Sequence, residues 1–353
     1  MTQALIIYNV VIVLLTVGIL VLLQRLNNER VVERIIMLGI VQLSVVGLLA
    51  VLYPGLGFGK IQLLSWGIFL YFPFFLLGSA ILTRGDNRIL SIILGSLFVL
   101  VLITAVDGFL IEPNWLAVSR KSIISEKIDE SLVIALLADI QTDSPGEYES
   151  RVLALVKKEQ PDLILLAGDY LQIQEPEQYQ KAVGALNEIF LEAGLSPRLG
   201  IYAIQGNVDW DGWEGIFQDL DVQIMESTQA INIGPLSLTG LGLLDSENPS
   251  LELPGSEKFQ IILGHSPNYS LGENEGDLLL AGHTHGGQVQ LPGIGPLITL
   301  SVVPRKWASG MTEINPGQTL LVSRGIGMER GDAPRLRLFC RPELVFLTLV
   351  PYR

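Results

Sequence analysis

Four long apolar runs, separated by short polar segments, dominate the first 110 residues of the chain. The runs are Ala4–Gln24, Ile35–Tyr53, Ile61–Leu82 and Ile89–Leu110. Each has about the 20 residues that an α-helix needs to cross a hydrocarbon layer ~30 Å thick. The first three runs contain no acidic or basic residue, and the fourth contains only Asp107. The pattern predicts four transmembrane helices over residues 1–110, and so an integral protein of the cell membrane.

Basic residues are distributed unevenly over the loops between these runs. Three arginines lie in the first loop and two in the third, whereas the second loop has only Lys60. Loops rich in arginine and lysine usually remain in the cytoplasm. We therefore expect the first and third loops to be cytoplasmic and the chain after residue 110 to be extracytoplasmic.

The hydrophobic pattern changes after a segment that we interpret as a juxtamembrane linker, residues 111–130. Over residues 131–353, short apolar runs alternate with two amphipathic helical patterns, Tyr148–Glu159 and Gln178–Ala193. The apolar runs are Val133–Ala138, Leu163–Ala167, Ile201–Ile204, Leu236–Leu244, Phe259–Leu263, Leu278–Ala281, Leu320–Ser323 and Leu344–Val350. Such runs are typical of strands buried on both faces. They predict an α/β domain with a central sheet, and the strand-rich later half predicts a second sheet.

Charge separates the chain into the same two parts. Of 353 residues, 49% are hydrophobic, yet the net charge is −13. Residues 1–110 hold six basic and four acidic residues, which leaves 17 basic and 32 acidic residues for positions 111–353. A surface this acidic repels nucleic-acid phosphates, so we expect no nucleic-acid partner. The single cysteine, Cys340, excludes an intrachain disulfide and a cysteine-rich zinc module.

Five of the predicted strands end in side chains that bind metals. These side chains are Asp139, Asp169, Asn207, His265 and the pair His283 and His285. Ligands of α/β sheets bind beyond the carboxyl ends of the strands, so the five ends imply a shared site. The chain has three histidines, and all three stand at these positions. Carboxylate, amide oxygen and imidazole together suit Mn²⁺, Fe²⁺ or Zn²⁺.

Each of these residues also has an ordinary structural interpretation when it is taken alone. Asp139 could cap the helix that follows it, Asp169 could belong to a simple turn, and His265 could be a hydrogen-bonded core residue. As an ordered set they favour a metal centre. A glycine precedes four of them and is expected to let the backbone turn sharply; the four are Asp169, Asn207, His265 and His283.

The order of motifs resembles the calcineurin-like metallophosphoesterase superfamily. The motifs are Asp139-Ile140-Gln141, Gly168-Asp169, Gly206-Asn207-Val208-Asp209, Gly264-His265 and Gly282-His283-Thr284-His285-Gly286-Gly287-Gln288. Three further segments resemble the membrane-attached bacterial branch of that superfamily: Ile111-Glu112-Pro113, Ser323-Arg324-Gly325-Ile326-Gly327 and Arg341-Pro342-Glu343. The resemblance implies a four-layer α/β/β/α sandwich that holds two divalent metal ions (Mn, Fe, Zn or Mg).

The resemblance also implies how the ligands divide between the two metal ions. Asp169 would bridge them. Asp139 and His285 would bind the first ion, where Gln141 offers an amide oxygen. Asn207, His265 and His283 would bind the second ion.

Two positions depart from the family pattern. Gln141 stands where the first motif normally has a histidine, which predicts a looser first site that favours Mn²⁺ or Mg²⁺ over Zn²⁺. Val208 stands where family members commonly have a histidine that assists the leaving group. Such assistance is worth about 10²–10⁴-fold, so substrates with good leaving groups should suffer least. The neighbouring Asp209 could orient Asn207 or a water molecule.

The sequence therefore predicts a membrane-anchored phosphoester hydrolase that uses a metal-activated hydroxide on a phosphodiester or pyrophosphate. A membrane tether favours a lipid-linked or membrane-near substrate, because it raises the local concentration. The alternatives are a degenerate metal-binding sensor or scaffold and a transporter with an appended domain. The nearly charge-free helices argue against the transporter.

Basic residues concentrate near the C-terminus. They are Arg305, Lys306, Arg324, Arg330, Arg335, Arg337 and Arg341. A patch for phosphate or anionic headgroups and a merely solvated face are both compatible with this pattern.

Overall fold

The computed structural model describes residues 3–25, 29–54 and 57–352. These residues form two compact units. The first extends to Leu110, and the second begins at Ile111 and, apart from residues 332–334, runs through the rest of the described chain. The outer ends of the two predicted regions, at residues 1, 2 and 353, lie outside the described residues.

The first unit is entirely helical. Its helices are α1 Gln3–Arg25, α2 Val31–Leu52, α3 Phe58–Trp66, α4 Phe72–Thr83 and α5 Arg88–Val106. A π-helical turn, Gly67–Tyr71, joins α3 and α4 into one helix of 26 residues, and helical turns extend α5 as far as Asn114. The described residues thus contain four helices long and apolar enough to cross a membrane, as predicted.

The π-helical turn ends at Tyr71, two residues before Pro73, which lacks the N–H that a regular helix requires.

Several polar side chains inside the first unit form internal hydrogen bonds. Gln42 donates a hydrogen bond of 2.9 Å to the Thr16 hydroxyl, and the Tyr8 hydroxyl donates one of 2.6 Å to the Leu63 carbonyl. In a bilayer such groups cannot turn to water, so internal pairing is the arrangement that a membrane segment requires.

The second unit contains fourteen described strands and three further α-helices. The strands are β1 Ala117–Ser125, β2 Leu132–Leu137, β3 Leu163–Leu166, β4 Ile201–Ala203, β5 Val222–Ile224, β6 Gln229–Ile233, β7 Leu236–Gly240, β8 Phe259–Leu263, β9 Leu278–Ala281, β10 Gln290–Leu291, β11 Gly295–Pro296, β12 Gly310–Asn315, β13 Gln318–Val322 and β14 Glu343–Pro351. The helices are α6 Glu147–Glu159, α7 Pro176–Ala193 and α8 Leu243–Ser246.

Two six-stranded sheets form the centre of this unit. The first has the strand order β1-β14-β2-β3-β4-β5, and the second has the order β12-β13-β9-β8-β7-β6. Strands β2 to β5 run parallel to one another, and so do β7, β8, β9 and β13. The carboxyl ends of these parallel strands carry the predicted ligands.

Strand β2 shows how the layers pack. Leu132, Ile134 and Leu136 lie in the core between the two sheets, whereas Ala135 and Leu137 face the layer formed by α6 and α7. The outer face of the second sheet packs against short helical turns, through Tyr269 of Pro267–Leu271 and Trp307 of Arg305–Trp307. The predicted four-layer α/β/β/α architecture is confirmed, with a thin helical layer on the second sheet.

The segment predicted as a linker, residues 111–130, contains strand β1. This strand pairs in parallel with β14 over nine residues and forms the edge of the first sheet. The middle of β1 is exposed and polar, from Arg120 to Ser122, so its hydrophobic pattern does not reveal a strand. Strand β7 ends at Gly240, before the predicted end at Leu244, because α8 begins at Leu243.

Candidate metal centre

The predicted ligands lie directly beyond the strands that present them. Asp139 follows β2, Asp169 follows β3 and Asn207 follows β4 in the first sheet, while His265 follows β8 and His283 follows β9 in the second. The two sheets meet at this edge, since the Asp139 carboxylate accepts the backbone N–H of His283 at 2.9 and 3.1 Å.

Four side-chain atoms converge on one point. Asn207 Oδ1 lies 2.8 Å from His265 Nε2 and 2.7 Å from His283 Nδ1. His265 Nε2 lies 3.2 Å from His283 Nδ1 and 3.3 Å from Asp169 Oδ2. Ligands that share one divalent ion at about 2.1 Å lie roughly 3 Å apart, so this spacing fits a single cation. These four residues are the set predicted for the second ion together with the predicted bridge.

A second group of ligand atoms shares Asp169 with the first. Asp139, Asp169 and His285 each offer one atom within 4.8 Å of the others. His285 Nε2 and Gln141 Oε1 are buried and have no hydrogen-bond partner among the described residues. A buried polar atom left unpaired costs about 1–3 kcal/mol, which a bound cation would offset. The donor set therefore fits a second divalent ion, with Asp169 placed to bridge.

The side-chain amide of Gln141 is oriented by a chain of hydrogen bonds. Its Nε2 donates to Gln172 Oε1 at 3.0 Å, and Gln172 Nε2 donates to Glu329 Oε2 at 2.9 Å. The Glu329 backbone N–H donates to Gln288 Oε1 at 2.9 Å. Because the nitrogen of Gln141 is committed to Gln172, its oxygen remains available as a ligand. Gln172 and Glu329 were not among the predicted site residues.

The predicted ligand residues adopt unusual backbone conformations. Five have positive φ: Asp139 (49°), Gln141 (36°), Asp169 (56°), His283 (67°) and His285 (49°). Non-glycine residues adopt such angles at a cost of about 1–3 kcal/mol each, and they persist where the surroundings fix them. Of the four glycines expected to turn the chain, only Gly168 has positive φ, at 83°.

The other glycines provide space for close approach. A Cβ on Gly282 would lie 2.6 Å from the Asp139 carboxylate.

Asp209 holds the turn that carries Asp169. Its carboxylate accepts the backbone N–H groups of Asp169 (2.8 Å), Tyr170 (2.7 Å) and Gly206 (2.8 Å). The structure thus gives Asp209 a structural task in place of the predicted orientation of Asn207 or a water molecule. The backbone N–H of Val208 donates to Asp169 Oδ1 at 2.9 Å, which holds the Asp169 carboxylate from the other side.

The charges of the centre shift the pKa values of its members. Burial, and then the nearby Asp169, raises the pKa of Asp139 to about 7. Burial opposes the charged form of His265, yet Asp169 raises the pKa of this imidazole to about 10. Burial and the Arg337 guanidinium, 3.4 Å away, hold the pKa of His285 well below its usual value. His285 is therefore neutral, as a metal ligand must be, while a cation would displace a proton from His265.

The seven basic residues near the C-terminus do not form one patch. Arg337 is fully buried and donates to the carbonyls of Gly327 (3.0 Å) and Cys340 (2.9 Å). The other four between positions 324 and 341 are also engaged within the unit: Arg324 with Glu343, Arg330 and Arg335 with Asp143, and Arg341 over Trp115. Arg305 and Lys306 are exposed, so a role toward anions rests on these two.

Comparison with known proteins agrees with this geometry. The family model described as calcineurin-like phosphoesterase matches residues 132–287, which include all seven predicted ligands. YkuE, a metallophosphoesterase of Bacillus subtilis, is 31% identical over 215 residues, covering 56% of this chain and 71% of the relative. Phosphodiesterase YaeI of Escherichia coli is 26% identical over 260 residues, covering 68% and 90%. A metallophosphoesterase of Aquifex aeolicus is 26% identical over 274 residues, covering 72% and 98%.

Proposed function

Since the chain belongs to the calcineurin-like metallophosphoesterase family and is a metal-dependent phosphoesterase, we propose that it hydrolyses phosphodiester or pyrophosphate bonds with two divalent cations while anchored in a membrane. The observation that carries the proposal is a cluster of four side chains. Asn207, His265 and His283 lie within 3.2 Å of one another, and Asp169 lies 3.3 Å from His265. Asp139, Gln141 and His285 would complete the set for the first cation, and Asp169 would serve both.

Each residue has a definite task in this proposal. The two cations, when bound, would activate a water molecule for attack and stabilise the attacking and leaving oxygens. The chain holds their ligands in place: Asp209 fixes the Asp169 turn, and Gln172 fixes the amide of Gln141.

The substrate class follows from the leaving group. Val208 presents an aliphatic side chain, which cannot donate a proton, and its backbone N–H is already bonded to Asp169. The leaving group must then depart without protonation by this residue, which favours phosphoanhydrides and activated diesters over ordinary monoesters. The name of the relative YaeI, a phosphodiesterase, supports the same class.

The membrane part of the proposal rests on the first unit. Four helices are long and apolar enough to span a bilayer, and the last ends only two residues before β1. So short a connection raises the effective concentration of the hydrolase toward lipid-linked or membrane-near phosphoesters. The uneven loop charges favour the extracytoplasmic side for the second unit.

The test is hydrolysis of bis(p-nitrophenyl) phosphate by the full chain in detergent with added Mn²⁺. This diester has a good leaving group, so it tolerates the missing histidine. We expect turnover that disappears in Asp169→Asn, together with bound metal. Asp211→Asn, which alters an exposed carboxylate, should keep wild-type turnover. Full activity in Asp169→Asn would disprove the mechanism, and stoichiometric bound metal without turnover would favour a sensor or scaffold.

A further inference from the structure

A segment without acidic residues borders the metal centre. Residues 286–312 contain no aspartate or glutamate, although positions 111–353 hold 32 of them. Within this segment we call residues 291–306 the apolar loop. Its aliphatic side chains are exposed over nine positions: Ile294 (62%), Leu297 (42%), Ile298 (47%), Leu300 (56%) and Val302 (65%). Single exposed aliphatic residues are ordinary, but a concentrated group marks an interaction surface.

The apolar loop is fixed to the centre at its base. Strands β10 and β11 pair as a short hairpin, and Ile294 lies in the turn between them. The Leu300 carbonyl lies 3.3 Å from His283 Nε2, and the Ser301 hydroxyl donates to Asn268 Oδ1 at 2.6 Å. Within the loop, Val303 is buried. The loop therefore presents its aliphatic side chains outward beside a metal ligand.

Two adjacent basic residues complete this surface. Arg305 and Lys306 are exposed at the end of the loop. With Phe339 and residues 290–296 they line an open cavity of about 570 Å³. The surface thus combines aliphatic side chains, positive charge and a cavity, in a unit that is otherwise strongly acidic. A bilayer that contains anionic lipids offers the complementary chemistry. Its acyl chains can contact the aliphatic side chains, and its phosphates can bind the two basic side chains.

We propose that the apolar loop docks on a membrane surface containing anionic lipids and so presents lipid-linked phosphoesters to the metal centre. The inference rests on the proposed hydrolase for its substrate but on the loop alone for its docking. The four candidate membrane spans of the chain would place the protein in a bilayer, so a lipid surface is available as the occupant.

A probe on the loop tests the docking directly. Cys340 is the single cysteine of the chain and is buried, so an introduced cysteine can be labelled selectively. An environment-sensitive fluorophore is attached to Ile294→Cys in the full chain and, as the matched control, to Leu191→Cys on the exposed face of α7. Both proteins are reconstituted in nanodiscs of phosphatidylcholine with or without phosphatidylglycerol, and with spin-labelled lipids as quenchers.

We expect emission from position 294 to shift to the blue and to be quenched by the spin-labelled lipids, with a larger effect when phosphatidylglycerol is present. Emission from position 191 should not change. The double variant Arg305→Gln, Lys306→Gln should remove the dependence on phosphatidylglycerol while hydrolysing soluble bis(p-nitrophenyl) phosphate at the wild-type rate.

Equal behaviour of the two probes would overturn the docking. Energy transfer between labelled copies without lipid quenching would assign the loop to self-association instead. Because turnover of the soluble diester is measured on the same samples, failure of the docking and failure of the hydrolase are distinguishable. Docking without turnover removes the hydrolase alone, whereas turnover without docking removes the loop proposal alone.

Discussion

Replacement of Asp209 tests whether this residue serves the backbone or the substrate. Its Oδ2 accepts the N–H groups of Asp169 and Gly206, and its Oδ1 accepts that of Tyr170. Asparagine has one carbonyl oxygen in place of two carboxylate oxygens. Even with that oxygen at the Oδ2 position, its amide group would face the Tyr170 N–H and leave a buried donor unpaired.

The magnitude follows from that one donor. An unpaired buried donor costs about 1–3 kcal/mol, so Asp209→Asn should lower the free energy of unfolding of the second unit by about 2 kcal/mol. For a unit of this size 1 kcal/mol corresponds to roughly 2–4 °C in Tm, which gives a decrease of about 4–8 °C. Asp209→Ala leaves all three N–H groups without this acceptor and should have a larger effect.

The assay is thermal unfolding of the full chain in detergent, followed by tryptophan fluorescence. Trp213 stacks on Tyr170 with ring centroids 5.4 Å apart, so its emission reports on this region. EDTA is present throughout, which separates folding from metal binding. Asp211→Asn is the control, and a change at this exposed site should stay within about 0.5 kcal/mol. If Asp209→Asn has the same Tm as the Asp211→Asn control, Asp209 does not hold the Asp169 turn.

Three further substitutions address the departures and the packing of the centre. Val208→His should accelerate the hydrolysis of esters with poor leaving groups by up to about 10²-fold, and it should accelerate the hydrolysis of nitrophenyl esters less. The measurement is kcat for a series of esters that differ in the leaving group. Gln141→His should raise the affinity for Zn²⁺ relative to Mn²⁺, as measured by competition titration. Gly325→Ala should weaken metal binding and lower Tm, because φ is 76° and the new Cβ would lie 2.8 Å from Asp139 and 3.0 Å from His285. Unchanged kcat for poor leaving groups, an unchanged ratio of Zn²⁺ to Mn²⁺ affinity, or unchanged metal affinity and Tm would contradict the argument made for that substitution.

The buried part of the fold is predictable from the sequence because its strands are apolar on both faces. Strands β2, β3, β8 and β9 occupy the middle of their sheets, and each is within one or two residues of its predicted bounds. The strands that the pattern does not reveal include the sheet edges. Strand β1 is exposed at three consecutive residues in its middle, and β12 exposes every second residue. Neither strand is a continuous apolar run, which is the signal that reveals the central strands.

The candidate site is predictable to the extent that each ligand follows an apolar run. Asp139, Asp169, His265 and His283 stand at strand ends, where the topology itself brings them together. Gln172 bonds to Gln141, 31 residues away in the sequence, and Glu329 bonds to Gln172, 157 residues away. No local sequence pattern marks residues that are paired over such separations. The task of Asp209 is also hidden, because its partners are backbone N–H groups, which every non-proline residue carries.

The two departures from the family pattern affect different properties of the centre. Gln141 offers a neutral oxygen that Gln172 holds in place, so we expect its consequence in the affinity and choice of a cation bound beside Asp139 and His285. Val208 leaves the ligands untouched and even fixes Asp169 through its backbone, so its consequence lies in the fate of the leaving group. A centre built in this way retains the groups that support attack on phosphorus but lacks one proton donor. We infer that the leaving group of its substrate is a weak base. The phosphate that leaves from a phosphoanhydride meets this requirement better than the alkoxide that leaves from an alkyl phosphate.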